Sequence, residues 1–396
     1  MTAAPVLAGL DKANEWQEEL YVHFHKNPEL SMQEVETGAE ITRRLESYGY
    51  EVSQIGGGVV GVLRNGEGPT VLFRADIDAL PVEEATDLPY RSEVPGVMHA
   101  CGHDFHITAG LGAAALLAES KADWSGTYIA LFQPGEETAQ GARAMVDDGL
   151  VDRIPKPDVA LGQHILTVPA AGEVATAAGP VLSTAASMKV VVYGKGSHGS
   201  MPHLGIDPVV LASAIVMRLQ GIVAREIAPH EFGVVTVGSL QAGTKANIIP
   251  DRAVLMINVR AYDSGIRDTL LAAIERIVAA ECAASSSPRE PEIEVFDLYP
   301  LTDNDAAVTE KVTAAFVEHF GADRVKELDP ITASEDFGVI PDALGVPYTY
   351  WGVGGFAPGQ EVLPNHNPGF APVMQPTLRT ATEAAVCAAL AYLKKE

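Results

Sequence analysis

Cysteine is scarce in this chain: three residues, Cys101, Cys282 and Cys387, in 396. They are too few and too scattered for a disulfide framework. Basic residues are also in the minority, 27 Lys and Arg against 52 Asp and Glu, for a formal net charge of −25. Nucleic acid and anionic membranes both require clustered positive charge, so neither is expected as a partner. No apolar run reaches membrane-spanning length without interruption. The opening MTAAPVLAGLDKANEW has no basic n-region and no long apolar h-region, so no signal peptide and a cytoplasmic location are expected. What is present is an ordinary globular mix, 47% apolar and 20% charged, at a length suited to two domains.

Helical periodicity runs over 11–49, with a break at Asn27-Pro28. Strands are expected at VVGVLR (59–64) and TVLFRADID (70–78), then a helix at 105–119 with Asp104 as its cap. TYIALFQ (127–133), a helix near 138–149 and DVALGQH (158–164) continue the alternation. Short apolar strands alternating with helices imply an α/β sheet, mixed and mostly parallel. The texture changes after about residue 183. MKVVVYGKG, a helix at 207–225, two strands, a helix at 264–283 and IEVFDLYP give a β-α-β-β-α-β order. That order suits a small antiparallel sheet with two helices on one face. The expected organisation is an α/β domain at 1–183 and 298–396, interrupted by an inserted α+β, ferredoxin-like domain at 184–297.

The strongest chemical signal is the run from His99 to His106, HACGHDFH. A Cys and a His two apart in an extended segment project to one side, and Cys101 and His103 can grip metal. Thiolate and imidazole suit Zn, although Mn, Co and Ni also accept imidazole and carboxylate. A nucleophilic Cys101 is disfavoured, because it lacks a strand-to-helix nucleophile setting. Glu136 and Glu137 follow an apolar strand directly, where open α/β sheets place ligands. Two carboxylates there can divide the work, one binding metal and the other moving protons. His164 ends another apolar strand and His366 lies in the loop LPNHNPG. Either alone is more often structural than a ligand. Together these residues make up the Cys, His, Glu, His, His set that a two-metal hydrolytic site requires. SEDFG (334–338) is equally compatible with a helix cap. In the inserted domain His198, Asn247 and Arg260 stand out at turns and strand ends, with structural roles as plausible as functional ones.

The order RADIDALP (74–81), HACGHD (99–104), PGEE (134–137), GQH (162–164), GKGSHGSMPH (194–203), NIIPD (247–251), SEDFG (334–338) and NHNPGF (365–370) resembles the amidohydrolase branch of the M20 metallopeptidases. That branch includes aminoacylases, hippurate hydrolases and auxin-conjugate hydrolases. The resemblance runs from about Phe24 to the C-terminus. It implies two divalent metals, Zn foremost, bound by Cys101, His103, Glu137, His164 and His366, with Glu136 as general base. It implies an inserted lid and dimerisation domain. From it His198 polarises the substrate carbonyl, often across a homodimer, and Asn247 and Arg260 contact the substrate near its carboxylate. The implied reaction is hydrolysis of an N-acyl amino acid, with dipeptidase or carboxypeptidase action, or a non-catalytic binding relative, as alternatives. Two departures bear on substrate shape: Gly199-Ser200 stands where many relatives have Ala-Ala, and INVR, ending at Arg260, stands where GTVR is common.

Overall fold

The computed structural model describes residues 3–393 and 395. The chain divides into two compact units, one made of Leu182–Thr302 with Pro330–Glu335, the other of the remaining residues.

The larger unit is built on an eight-stranded mixed sheet. Its order is Glu51–Ile55, Gly58–Asn65, Gly126–Gln133, Thr70–Asp76, Val159–Ala170, Tyr348–Phe356, Val174–Thr176, Val325–Glu327. The four strands from Gly126–Gln133 to Tyr348–Phe356 in that order are mutually parallel. Val71, Leu72 and Phe73 are all buried although successive side chains face opposite sides, so both faces of the sheet are covered. Helices His103–Glu119 and Met374–Leu393 pack on each other and on strand Thr70–Asp76. The first reads HDFHITAGLGAAALLAE and is buried nearly all round. Its small residues let neighbours approach closely. A Cβ at Gly112 would overlap the Gln17 amide, which donates to Thr382 Oγ1 (2.9 Å) and the Thr108 carbonyl (3.3 Å). Three helices are tied at that one point.

Several local expectations shift. The helix begins at His103, with Gly102 and not Asp104 as its N-cap. The Asp104 carboxylate instead accepts from the Phe105 amide (3.0 Å) and meets His25 Nδ1 at 2.7 Å. The segment after Gln133 forms a 3₁₀ turn, Glu136–Thr138, before helix Gly141–Asp147 starts. SEDFG gives no side-chain cap to the helix that follows it, Val339–Leu344, whose N-cap is Gly338; its Asp336 instead accepts from the Ala142 amide (3.1 Å) in the first turn of helix Gly141–Asp147. The polar edge strand Glu51–Ile55 had no signal beyond its neighbours.

The smaller unit has a four-stranded antiparallel sheet, ordered Gly233–Ala242, Arg252–Ala261, Thr184–Tyr193, Glu292–Tyr299. In chain order this is 2-3-1-4, the split β-α-β arrangement expected of a ferredoxin-like unit. Burial alternates residue by residue along Arg252–Ala261, one face covered and one half-exposed. Helices Pro208–Leu219 and Ser264–Ala284 cover that face, each capped by an aspartate: Asp207 accepts from the Val209 amide (2.8 Å) and Asp263 from the Ile266 amide (2.9 Å). Pro208–Arg225 is long and apolar enough to pass as a membrane span. Here it breaks into helices Pro208–Leu219 and Gly221–Arg225, and Leu211, Ile215 and Leu219 are buried in the unit's own core.

Candidate metal centre

Parallel strands deliver the site. Asp76 ends one strand opposite Gln133, the last residue of the next. Gly162 pairs with Arg74, two residues ahead of His164 and Asp76 respectively. The loops leaving these strands therefore open at one level, at the carboxyl ends where α/β sheets place ligands.

Cys101 and His103 do not share an extended segment, as the spacing suggested. Gly102 turns the chain in the left-handed region (φ 85°), and a Cβ there would meet Ile165 Cβ at 3.1 Å, so glycine is required. His103 is consequently the first residue of its helix. Glu137 lies in the 3₁₀ turn, entered through Gly135 (φ 55°). His366 is itself left-handed (φ 69°), its amide held by the Ala100 carbonyl at 2.7 Å. For a non-glycine residue that conformation costs roughly 1–2 kcal/mol.

These loops bring the five predicted ligands together. Cys101 Sγ lies 3.5 Å from His164 Nε2, and His366 Nε2 lies 3.2 Å from Glu137 Oε2. His103 Nε2 is 3.9 Å from both Glu137 Oε1 and Glu136 Oε2. Two donor groups result, Cys101 with His103 and His164, and Cys101 with Glu137 and His366, each with its ligand atoms within 4.8 Å. Cys101 is common to both, and the five residues would together hold two ions. The residues fit a metal on a second count. His103 Nε2 and Glu137 Oε1 are buried without a hydrogen-bond partner, a state that costs about 1–3 kcal/mol per group unless something else satisfies them.

The electrostatics agree. The Cys101 and Glu137 acids push His366 up to about 10. Burial opposes charge on His103, but Asp76 and Asp78 hold its pKa well above the usual imidazole range. Burial, followed by the neighbouring Glu137, raises the Cys101 thiol. Burial pushes His164 down. The cluster thus holds protons where a cation would sit, and metal binding must release them.

Asp76, Asp78 and His106 lie inside the sequence motifs, but aspartates closing an apolar strand carry no signal of a role there. Asp78 orients ligands directly, while Asp76 and His106 hold the strand beside one. His103 Nδ1 lies 2.9 Å from the Asp78 carbonyl and 3.2 Å from its carboxylate, which also accepts from the Glu137 amide (3.0 Å) and the Ser31 hydroxyl (2.7 Å). His106 Nε2 accepts the Ile165 amide at 2.9 Å, while its Nδ1 bonds Asp76, so it fixes the strand just past His164. His164 Nδ1 donates to the Ile165 carbonyl (2.8 Å), leaving Nε2 as the acceptor towards Cys101. Behind them the buried Arg74 guanidinium pairs with Asp76 and Asp336 and donates to Gln133 (3.0 Å). Asp336 of SEDFG is thereby a structural anchor.

The remaining predicted residues lie in the smaller unit. His198 pairs with Ile248 in a two-stranded ribbon, and the Asn247 carbonyl accepts the Gly199 amide (2.8 Å), so these two share one turn. His198 Nδ1 accepts the Ser200 amide at 3.1 Å, with the Ser200 hydroxyl 2.8 Å away. An amide can only donate, so the ring proton sits on Nε2. Arg260, next to last in strand Arg252–Ala261, donates to Asn258 (2.9 Å) and Ser334 (2.6 Å); Asn258 is the Asn of INVR.

An α/β unit with two donor groups that share Cys101, beside a second carboxylate, defines a metal-dependent hydrolase of the amidohydrolase type. Residues 72–391 match Peptidase family M20/M25/M40, and the chain belongs to that family. It is 36% identical over 362 residues to thermostable carboxypeptidase 2 of Saccharolobus solfataricus, covering 90% of each chain. It is 37% identical to N-acetyl-L-cysteine deacetylase of Bacillus subtilis, over 84% of this chain and 79% of that one. A dinuclear metal-binding M20 peptidase of Bacillus subtilis matches in structure with a TM-score of 0.78 at 28% identity, over 96% and 99% of the two chains.

Proposed function

We propose that this protein hydrolyses the amide bond of N-acyl-L-amino acids, releasing a carboxylic acid and a free amino acid. The observation that carries the reading is the pair of buried metal-donor atoms without a hydrogen-bond partner, His103 Nε2 and Glu137 Oε1, beside the carboxylate of Glu136. Cys101, His103, Glu137, His164 and His366 would hold two divalent ions, and the thiolate favours Zn over Mn, Co or Ni. When bound, the ions would supply the Lewis acidity that acidifies water and polarises the scissile carbonyl. Glu136 takes the proton of the attacking water and returns it to the leaving amine. His198, with its proton on Nε2, donates to the developing oxyanion, a contribution of about 3–4 kcal/mol where such a donor has been removed. Arg260 and Asn247 receive the substrate's α-carboxylate, the guanidinium as a fixed cation.

The likeness to a carboxypeptidase favours a second reading, hydrolysis of a peptide at its carboxyl terminus. Both substrate classes place the amide next to a free α-carboxylate, so release rates from N-acyl amino acids and dipeptides must be compared directly. Glu136→Gln should lower kcat by at least about 10³-fold for the preferred class while metal content stays at the wild-type level. Residual activity within tenfold of wild type overturns the base assignment. We also infer a homodimer, supported by the unpaired edge strand Gly233–Ala242 and by exposed Val210 and Met217 on the neighbouring helix. A cytoplasmic location is in keeping with the free thiols of Cys101, Cys282 and Cys387.

A further inference from the structure

The turn that carries Glu136 is bounded by two left-handed residues, Gly135 (φ 55°) and Ala139 (φ 54°). Its internal bonds converge on carbonyls: Gly135 O accepts from the Gln140 amide (3.2 Å), the Gly141 amide (3.1 Å) and the Thr138 hydroxyl (3.2 Å), and Glu136 O accepts from the Ala139 amide (2.9 Å). The amides on either side of Glu136 are used differently. Glu137 N–H donates to Asp78 Oδ2 at 3.0 Å, and Gly135 N–H donates to Glu34 Oε1 at 2.8 Å. Both acceptors are buried carboxylates from outside the turn.

One short connection between helices Leu10–Lys26 and Val35–Ser47 supports both clamps. Ser31 donates to Asp78 (2.7 Å), the Ala79 amide donates to the Glu29 carbonyl (2.8 Å), and Met32 sits so close under Gly135 that a Cβ there would lie 2.5 Å from its sulfur. We propose that Glu34 is a positioning residue for the amide hydrolysis: its carboxylate fixes the Gly135 amide, and with it the Glu136 carboxylate, as Asp78 does from the other side through Glu137. The proposal rests on the reading of Glu136 as base. Burial lifts the Glu34 carboxyl to about 7 against the pull of the amides of Glu34 itself, Gly135 and Met32. A carboxylate kept inside at that cost has a partner that needs it, and the partner here is the catalytic turn.

Three substitutions separate reach from charge. Glu34→Gln keeps an oxygen at the right distance without the charge, Glu34→Asp keeps the charge one methylene short, and Glu34→Ala has neither. Assayed at pH 8, where the wild-type carboxyl is ionised, Ala and Asp should lose about 10- to 100-fold in kcat, the scale of a displacement near 1 Å. Gln should stay within about fivefold of wild type. In all three, KM, bound metal and the thermal midpoint should change little, which a merely structural role would not allow. In a Glu136→Gln background, Glu34→Ala should add no further loss, because the group it positions is gone. Wild-type kcat in Glu34→Asp, or a Gln variant as damaged as Ala, overturns the proposal. An active Glu136→Gln sinks the base assignment and the proposal together. An inactive Glu136→Gln with fully active Glu34→Ala sinks the proposal alone.

Discussion

His25 carries charge inside the protein because two carboxylates face it. Its Nδ1 lies 2.7 Å from Asp104 and its Nε2 3.4 Å from Glu84, with only 3% of the side chain exposed. Burial opposes the charge, yet Asp104 and Glu84 together raise the pKa to about 9. A folded-state value above the unfolded one stabilises fully below the unfolded pKa and is lost as pH rises through the folded pKa. From about 6.5 to about 9, the loss amounts to roughly 3 kcal/mol. The urea midpoint of the protein should therefore fall between pH 6.5 and pH 10, and His25→Gln should flatten that slope. An equal slope in the variant contradicts the assignment. A raised pKa acts in the opposite direction on metal loading. Protons held on His366 by Cys101 and Glu137 must leave before an ion enters, so uptake weakens as pH falls.

At the scale of elements, helix His103–Glu119 does two jobs: its first residue is a ligand, and its Gly and Ala face sets how closely other helices approach. Gly112→Ala places a methyl where the pinned Gln17 amide lies, and overpacking of this kind costs about 1–3 kcal/mol. Thermal unfolding should show that loss, and restoring it with Gln17→Ala in the double variant would tie it to this contact. Most of these elements were legible in the sequence. The alternation of apolar strands and helices gave the sheet, and period-two burial gave the strands of the smaller unit. The failures were local. Glycine at 102 allows a helix to start two residues earlier than the apolar period implies, and a polar edge strand such as Glu51–Ile55 carries no burial pattern to read. The 3₁₀ turn at Glu136 is too short for any periodicity.

At the scale of the molecule, the site gathers residues from position 76 to position 366, and no window of sequence contains it. Cys101 and His103 announce themselves by proximity, whereas His164 and His366 are single histidines whose meaning appears only when strand register and loops bring them to Cys101 and Glu137. Asp76, Asp78 and His106 were in view but unreadable, since their work is hydrogen bonding across strands. A dinuclear site built by these loops should drive amide hydrolysis only with metal bound. Metal-free protein titrated with Zn²⁺ while hydrolysis of an N-acyl amino acid is followed tests this most directly. Activity should rise until two equivalents per chain have been added and then level off. Full activity without added metal, or a plateau reached before one equivalent, would contradict the account.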